Sequence, residues 1–163
     1  MRHARRRSMD AAEITLIMTS DFFFSSYCKM HPQKFDLIFI DGAHVFSIVY
    51  RDILNSLKHL NKGGTIVLHD MLPQTERAQL PIVQPGSWNG DAWKAFVKAR
   101  VFCGTQHEFF VIDEDEGCGV IRKSSTPSPI DFISDQNLTW ENFVINKGHW
   151  MNPVSYEEFQ RRI

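Results

Sequence analysis

Glycine is missing from the first quarter of this chain: all nine glycines lie at or after Gly42. A G-x-G-x-x-G turn, where side chains would block the close approach of a dinucleotide pyrophosphate, is therefore not present, which disfavours a nicotinamide-dependent dehydrogenase. Cysteine is scarce as well. Cys28, Cys103 and Cys118 are widely spaced and form no C-x-x-C pair, so neither a disulfide framework nor a zinc knuckle is indicated, and a reducing cytoplasm fits best. Charge of one sign is not in excess: 18 basic against 19 acidic residues leave a net charge of -1. That balance gives no electrostatic case for nucleic acid or an anionic membrane surface as partner. Long hydrophobic runs are also wanting. The stretch Ile14 to Met18 is too short for a secretory core or a membrane span, so Arg2, Arg5, Arg6 and Arg7 are expected to belong to a disordered basic leader, residues 1–13. Without a secretion signal, the sequon Asn137-Leu138-Thr139 has little meaning.

What the chain does have is two unbroken apolar runs of strand length, each ending in a carboxylate. The first is Phe35-Asp36-Leu37-Ile38-Phe39-Ile40-Asp41-Gly42-Ala43-His44, the second Gly63-Gly64-Thr65-Ile66-Val67-Leu68-His69-Asp70. Strands buried on both faces of a parallel sheet read as continuous hydrophobic runs, whereas half-exposed strands alternate. Between the runs, Val45, Val49, Ile53, Leu57 and Leu60 recur at helical spacing on one face, with Gly63 and Gly64 expected to stop the helix. The three segments make a βαβ unit. Ligands of open α/β sheets bind at the carboxyl ends of the strands, which is where Asp41, His44, His69 and Asp70 fall.

The flanking segments are read in the same way. Ile14 to Met18 is β-prone, and Thr19, Ser20 and Asp21 offer capping side chains to a helix over Phe22 to Tyr27. Residues 71–90 are rich in Pro, Gln and Gly and form a long loop, of a length that is usually functional or mobile. Asn89 or Asp91 is expected to cap a helix carrying Trp93, Phe96 and Val97. Phe109 to Ile112 and Gly119 to Ile121 are joined by so short a polar connection that they can only be antiparallel. The acidic run Asp113 to Glu116 reads as a solvated hairpin tip. Residues 124–137 have linker composition. A helical tail over 138–163 has starts at Thr139 and at Ser155, the latter with a capping-box Glu158.

These motifs, with Tyr50-Arg51-Asp52, Gly90-Asp91-Ala92-Trp93-Lys94-Ala95-Phe96 and Gly117-Cys118-Gly119-Val120-Ile121, resemble the carboxyl-terminal two-thirds of a class I S-adenosylmethionine-dependent methyltransferase over residues 14–123. The resemblance implies an incomplete Rossmann-like α/β sheet, mostly parallel, with a C-terminal antiparallel hairpin. The family's strand order is 3-2-1-4-5-7-6, with the seventh alone antiparallel. It further implies S-adenosyl-L-methionine as cofactor, contacted by Ser20 and Asp21 through its adenine and by Asp41 and Gly42 nearer its methionine portion. In some oxygen-methylating relatives, acids at the positions of Asp41 and Asp70 hold a divalent metal such as Mg2+, although Met71 departs from the amide or acid that often follows the second acid. The glycine-rich loop of the family's first strand is absent.

Methyl transfer needs an aligned acceptor and removal of its proton. Asp41, His44, His69 and Asp70 are the candidate catalytic residues, with His44 suited to a general base. Asp41 could instead cap the helix that follows, and His44 could be merely solvated. His69 and Asp70 would face opposite ways if the strand continued through them, so both bind one ion only if it has ended. Trp88, Trp93 and Asp91 could wall an acceptor site, although for Trp93 the helical spacing with Phe96 and Val97 favours core packing. The expected reaction is methyl transfer to a small hydroxylated or amino acceptor. The alternative is a catalytically inactive fragment that presents an uncovered sheet edge and Phe22, Phe23 and Phe24 to a second copy or another chain.

Overall fold

The structure, a computed structural model, describes residues 16–123 and 126–162. The basic leader and the first two residues of the Ile14 to Met18 run lie outside the described residues. The remainder of that run, Leu16 to Met18, forms no strand, a correction to the β-prone reading. Two compact units divide the chain at His31. In the first, helix α1 (Ser20–Phe22) passes through a π-helical turn (Phe23–Tyr27) into α2 (Cys28–Met30). Thr19 is the cap, its hydroxyl accepting from Phe22 N at 3.2 Å.

The second unit is built on a five-stranded sheet of β1 (Phe35–Ile40), β2 (Leu60–Leu68), β3 (His107–Ile112), β4 (Cys118–Lys123) and β5 (Pro153–Val154), in the order β1-β2-β4-β3-β5. β1 and β2 are parallel, β4 is antiparallel to both β2 and β3, and β3 is parallel to β5. Four strands thus run one way and β4 alone opposes them. The run β1-β2-β4-β3 reproduces the 4-5-7-6 half of the anticipated order. β5 is an addition within the tail expected to be helical, and it is only two residues long.

Helix α3 (Phe46–His59) crosses from β1 to β2 and buries Val49 and Ile53. It ends at His59, and Leu60 is already extended. Gly63 and Gly64 therefore do not stop the helix, as expected from sequence, but lie inside β2. The left-handed φ of +84° at Gly63 falls where the register of β1 against β2 slips between Phe35 and Leu37, a bulge that a glycine accommodates readily. Helix α4 (Ala92–Cys103) buries Trp93, Phe96 and Val97. Helix α5 (Trp140–Met151) is capped by the Thr139 hydroxyl, and α6 (Tyr156–Gln160) by that of Ser155.

Alternation along the strands assigns two faces. Ile40, Ile66, Leu68, Ile121, Phe109 and Val111 join α3, α4 and α5 in the main core. Trp93 lies 4.4 Å from Phe143 and 6.2 Å from Trp150, ring centre to ring centre. On the other face Phe110, Val120 and Val154 form a small cluster under Phe159, while Leu37 and Phe39 of β1 are 63% and 57% exposed. Among the described residues β1 pairs with β2 only. Buried Arg100 joins separate segments: its guanidinium donates to the carbonyls of Ser128, His149 and Trp150 at 2.6, 2.8 and 2.9 Å, and burial lowers its pKa to about 10. No described helix is long and apolar enough to cross a membrane.

Candidate active site at the carboxyl ends of β1 and β2

Because β1 and β2 are parallel, the residues that follow them emerge at the same end of the sheet. β1 stops at Ile40 and β2 at Leu68, so Asp41, His44, His69 and Asp70 all lie beyond regular strand and are free of its strict alternation. His44 Nε2 is 3.2 Å from Asp41 Oδ1 and 3.3 Å from Asp70 Oδ2. One ligating atom from each of these three residues falls within 4.8 Å of the others. His69 Nδ1 is 3.0 Å from Asp70 Oδ2 and 3.9 Å from Asp41 Oδ1. The four residues expected from sequence are therefore brought together.

Burial grades the cluster. The Asp41 side chain is 47% exposed and that of Asp70 only 10%. His44 and Asp70 both adopt left-handed backbone, with φ of 47° and 65°; non-glycine residues held there carry strain that gathers at functional sites. His44 Nδ1 is buried without a hydrogen-bond partner. Gly90, with φ of 61°, allows the long loop to dock on His44, since a Cβ there would collide with the His44 carbonyl oxygen. Trp88 completes this wall, its ring 5.2 Å from the His44 imidazole and tilted 28° to it.

Three further groups hold the site. Asn89, fully buried, donates from Nδ2 to Asp70 Oδ1 at 2.8 Å and to Glu116 Oε2 at 3.3 Å. Asp91 occupies the N-cap position of α4 but makes no side-chain cap bond there. It accepts instead from Phe46 N at 2.6 Å, capping α3, the role that the sequence also offers to Asp41. The acidic hairpin tip is not merely solvated: Asp115 Oδ2 meets His69 Nε2 at 3.0 Å, and Glu116 Oε1 accepts from Ser87 Oγ at 3.0 Å. The only sequence signal for these contacts is the proximity of loops at one end of a parallel sheet.

The electrostatics follow from these contacts. Burial pulls the His69 pKa down, but hydrogen bonds to Asp115 and Asp70 and the nearby carboxylate charges outweigh it, and the pKa is raised. Cys118 has its thiol pKa raised by burial and then by the charges of Asp115 and Asp70, so it remains a thiol at neutral pH. Met71 is 1% exposed and part of the core, hence unable to supply the ligand that follows the second acid in metal-dependent relatives. His44 is the side chain that stands beside the two acids instead. Gly42 is exposed, and a Cβ added there would meet open space. Ser20 and Asp21 belong to the first compact unit, Ser20 half-buried and Asp21 exposed.

A family model described as a methyltransferase domain matches residues 2–71. The match takes in both strand-end motifs and stops directly after Asp70. The resemblance read from Phe35 to His44 and from Gly63 to Asp70 therefore has independent support, and this stretch is methyltransferase-like. None of the curated proteins matches the chain.

Proposed function

We propose that the chain carries the carboxyl-end half of a methyl-transfer site, using S-adenosyl-L-methionine as donor and a small hydroxylated or amino compound as acceptor. The observation that supports this most is the convergence of Asp41, His44 and Asp70 within 4.8 Å, at the tips of two parallel strands inside the methyltransferase-like stretch. In this reading Asp41, the exposed member, faces the reactants. Buried Asp70 accepts from the same His44 Nε2 that faces Asp41 and fixes the imidazole between the two acids. With His44 Nε2 donating to the carboxylates of Asp41 and Asp70, the proton of an acceptor hydroxyl entering beside Asp41 would pass to the exposed Asp41 carboxylate, while the imidazole steadies that carboxylate. His69, bonded to both Asp70 and Asp115, keeps its proton more readily and is better suited to hold Asp70 than to act as base. Trp88 screens the imidazole from water. Asp41 and Gly42 are the groups of this unit assigned to the cofactor, with Ser20 and Asp21 assigned to its adenine.

The donor set also suits a divalent cation. Two carboxylates and an imidazole on one side leave positions for water and an acceptor oxygen, and Asp41, Asp70 and His44 would hold the ion. When bound, Mg2+ or a similar cation would make the acceptor hydroxyl more acidic.

A second reading rests on Leu37 and Phe39, exposed on a strand with one partner among the described residues: an interaction module that offers this edge to another chain. Isothermal titration with S-adenosylmethionine and S-adenosylhomocysteine separates the two. The methyl-transfer reading expects saturable binding that Asp41→Ala weakens at least about tenfold, or roughly 1.4 kcal/mol. Absence of heat at high protein concentration would refute it and leave the interaction module. The cation is tested by melting: if Mg2+ or Mn2+ leaves the Tm of the chain unchanged while Asp70→Asn still binds donor, the ion has no place here.

A further inference from the structure

The end of the sheet opposite the acidic cluster holds a groove of about 350 Å3, at the lower limit of small-molecule sites. Its walls come from the start of β2, the α4–β3 turn and the end of β4, so it is separated from His69 by most of the length of β2, about 20 Å at the usual strand rise. Lys62, Lys123 and His107 line it together with the carboxamides of Gln106 and Asn61, and no described carboxylate does. Leu57 and Leu60 supply an apolar floor. We propose that this groove binds a small organic phosphate, a phosphomonoester dianion whose apolar arm rests on the two leucines.

Three observations support the assignment. His107 and Lys123 are direct cross-strand partners, so an imidazole and an ammonium group are placed side by side at the groove. Asp36, the acid next to this rim, is already engaged by Asn61, whose Nδ2 donates to Asp36 Oδ1 at 2.8 Å. Asp36 does not line the groove, and the two ammonium groups of Lys62 and Lys123 do. The remaining obstacle to an anion here is the carboxyl end of α3, with its partial negative charge. Lys34 reduces it, donating from Nζ to Lys58 O at 2.8 Å, and Lys58 and His59 add basic character in that last turn. Asp41, Asp70 and Asp115 thus meet at the carboxyl tips, whereas Lys62 and Lys123 stand at the opposite end.

The full chain, labelled with 15N, is titrated with phenyl phosphate, inorganic phosphate and benzoate. Saturable amide shifts at Lys62, Gln106, His107 and Lys123 are expected with phenyl phosphate, at a dissociation constant near or below about 1 mM. Inorganic phosphate, lacking the arm, should bind several-fold more weakly. Benzoate, a monoanion, should do likewise. Lys62→Ala with Lys123→Ala should weaken phenyl phosphate at least about tenfold, and raising the salt should do the same progressively. Both lysines are exposed, and a melting curve of the double variant checks that it is folded; if it is not, Lys62→Gln with Lys123→Gln replaces it. The proposal is overturned by absent shifts up to about 10 mM ligand, by shifts undiminished in the double variant, or by shifts confined to the His44 and Asp70 end.

Discussion

The two ends of the sheet are built on opposite plans. At the carboxyl tips, charged side chains hold one another: Asp70 is gripped by Asn89, His69 and His44, Asp115 reaches back to His69, and His44 and Asp70 sit in strained backbone. At the far end Lys62 and Lys123 stand exposed around open space. Interlocked polar groups in a partly buried setting fix geometry and make each removal costly, whereas solvated cations contribute little to stability and remain free for a ligand. A position that chemistry needs rigid and a position that awaits a guest are thus distinguishable by how their charges are already engaged.

Substitutions can break this contrast. The largest effect is expected for Gly90→Val, which drives a branched side chain into the His44 carbonyl at a left-handed backbone position. Urea unfolding should record a loss of about 3 kcal/mol or more, and the stacking of Trp88 on His44 should be lost from the indole fluorescence. Asn89→Leu removes the donor to Asp70 and Glu116 and should cost about 1–3 kcal/mol. Asp91→Ala uncaps α3 at Phe46 and should cost about 0.5–2 kcal/mol, with the effect visible as faster amide exchange in the first turn of α3 rather than of α4.

A smaller effect is expected from His69, whose folded pKa lies above its unfolded value. The stability it contributes is complete below the unfolded pKa and is lost as pH rises through the folded one. Wild-type protein should therefore lose stability relative to His69→Gln as the pH rises above the ordinary imidazole value of about 6.5, by roughly 1 kcal/mol or less for so partly solvated a pair. The smallest is Lys62→Ala, whose unfolding free energy should stay within about 0.5 kcal/mol of wild type. Were it instead to match Asn89→Leu, the two ends would not differ in kind.

The parallel pair, its crossover helix and the antiparallel hairpin are legible in the sequence from continuous apolar runs, as in Leu37 to Ile40 and Thr65 to Leu68, although the burial on both faces that such runs imply is not found in β1, where Leu37 and Phe39 are exposed. The capping residues Thr139 and Ser155 are legible for a local reason: a hydroxyl bonds an amide three residues on. Asp91 misleads because the same chemistry serves a helix distant in sequence. Asp115 and Glu116 mislead because a run of acids at a turn looks the same whether it faces water or His69. Gly63 and Gly64 have the composition of a helix stop and act as a strand bulge. β5 is too short to have a period at all. Of the site, the strand-tip residues are readable, while Asn89 and Trp88 depend on how a long loop folds back.

Arg100 has a consequence for how the chain can be divided. One interior cation holds Ser128, His149 and Trp150 by their carbonyls, so the segment beyond Ser128 is anchored from within the main core. Deleting it would remove two of the three carbonyl acceptors of a buried guanidinium, those of His149 and Trp150, a loss that is costly in the interior. Shortened versions ending before α5 would accordingly be less stable, since they also lose Phe143, Trp150 and Met151 from the core, and useful boundaries for expression keep that helix.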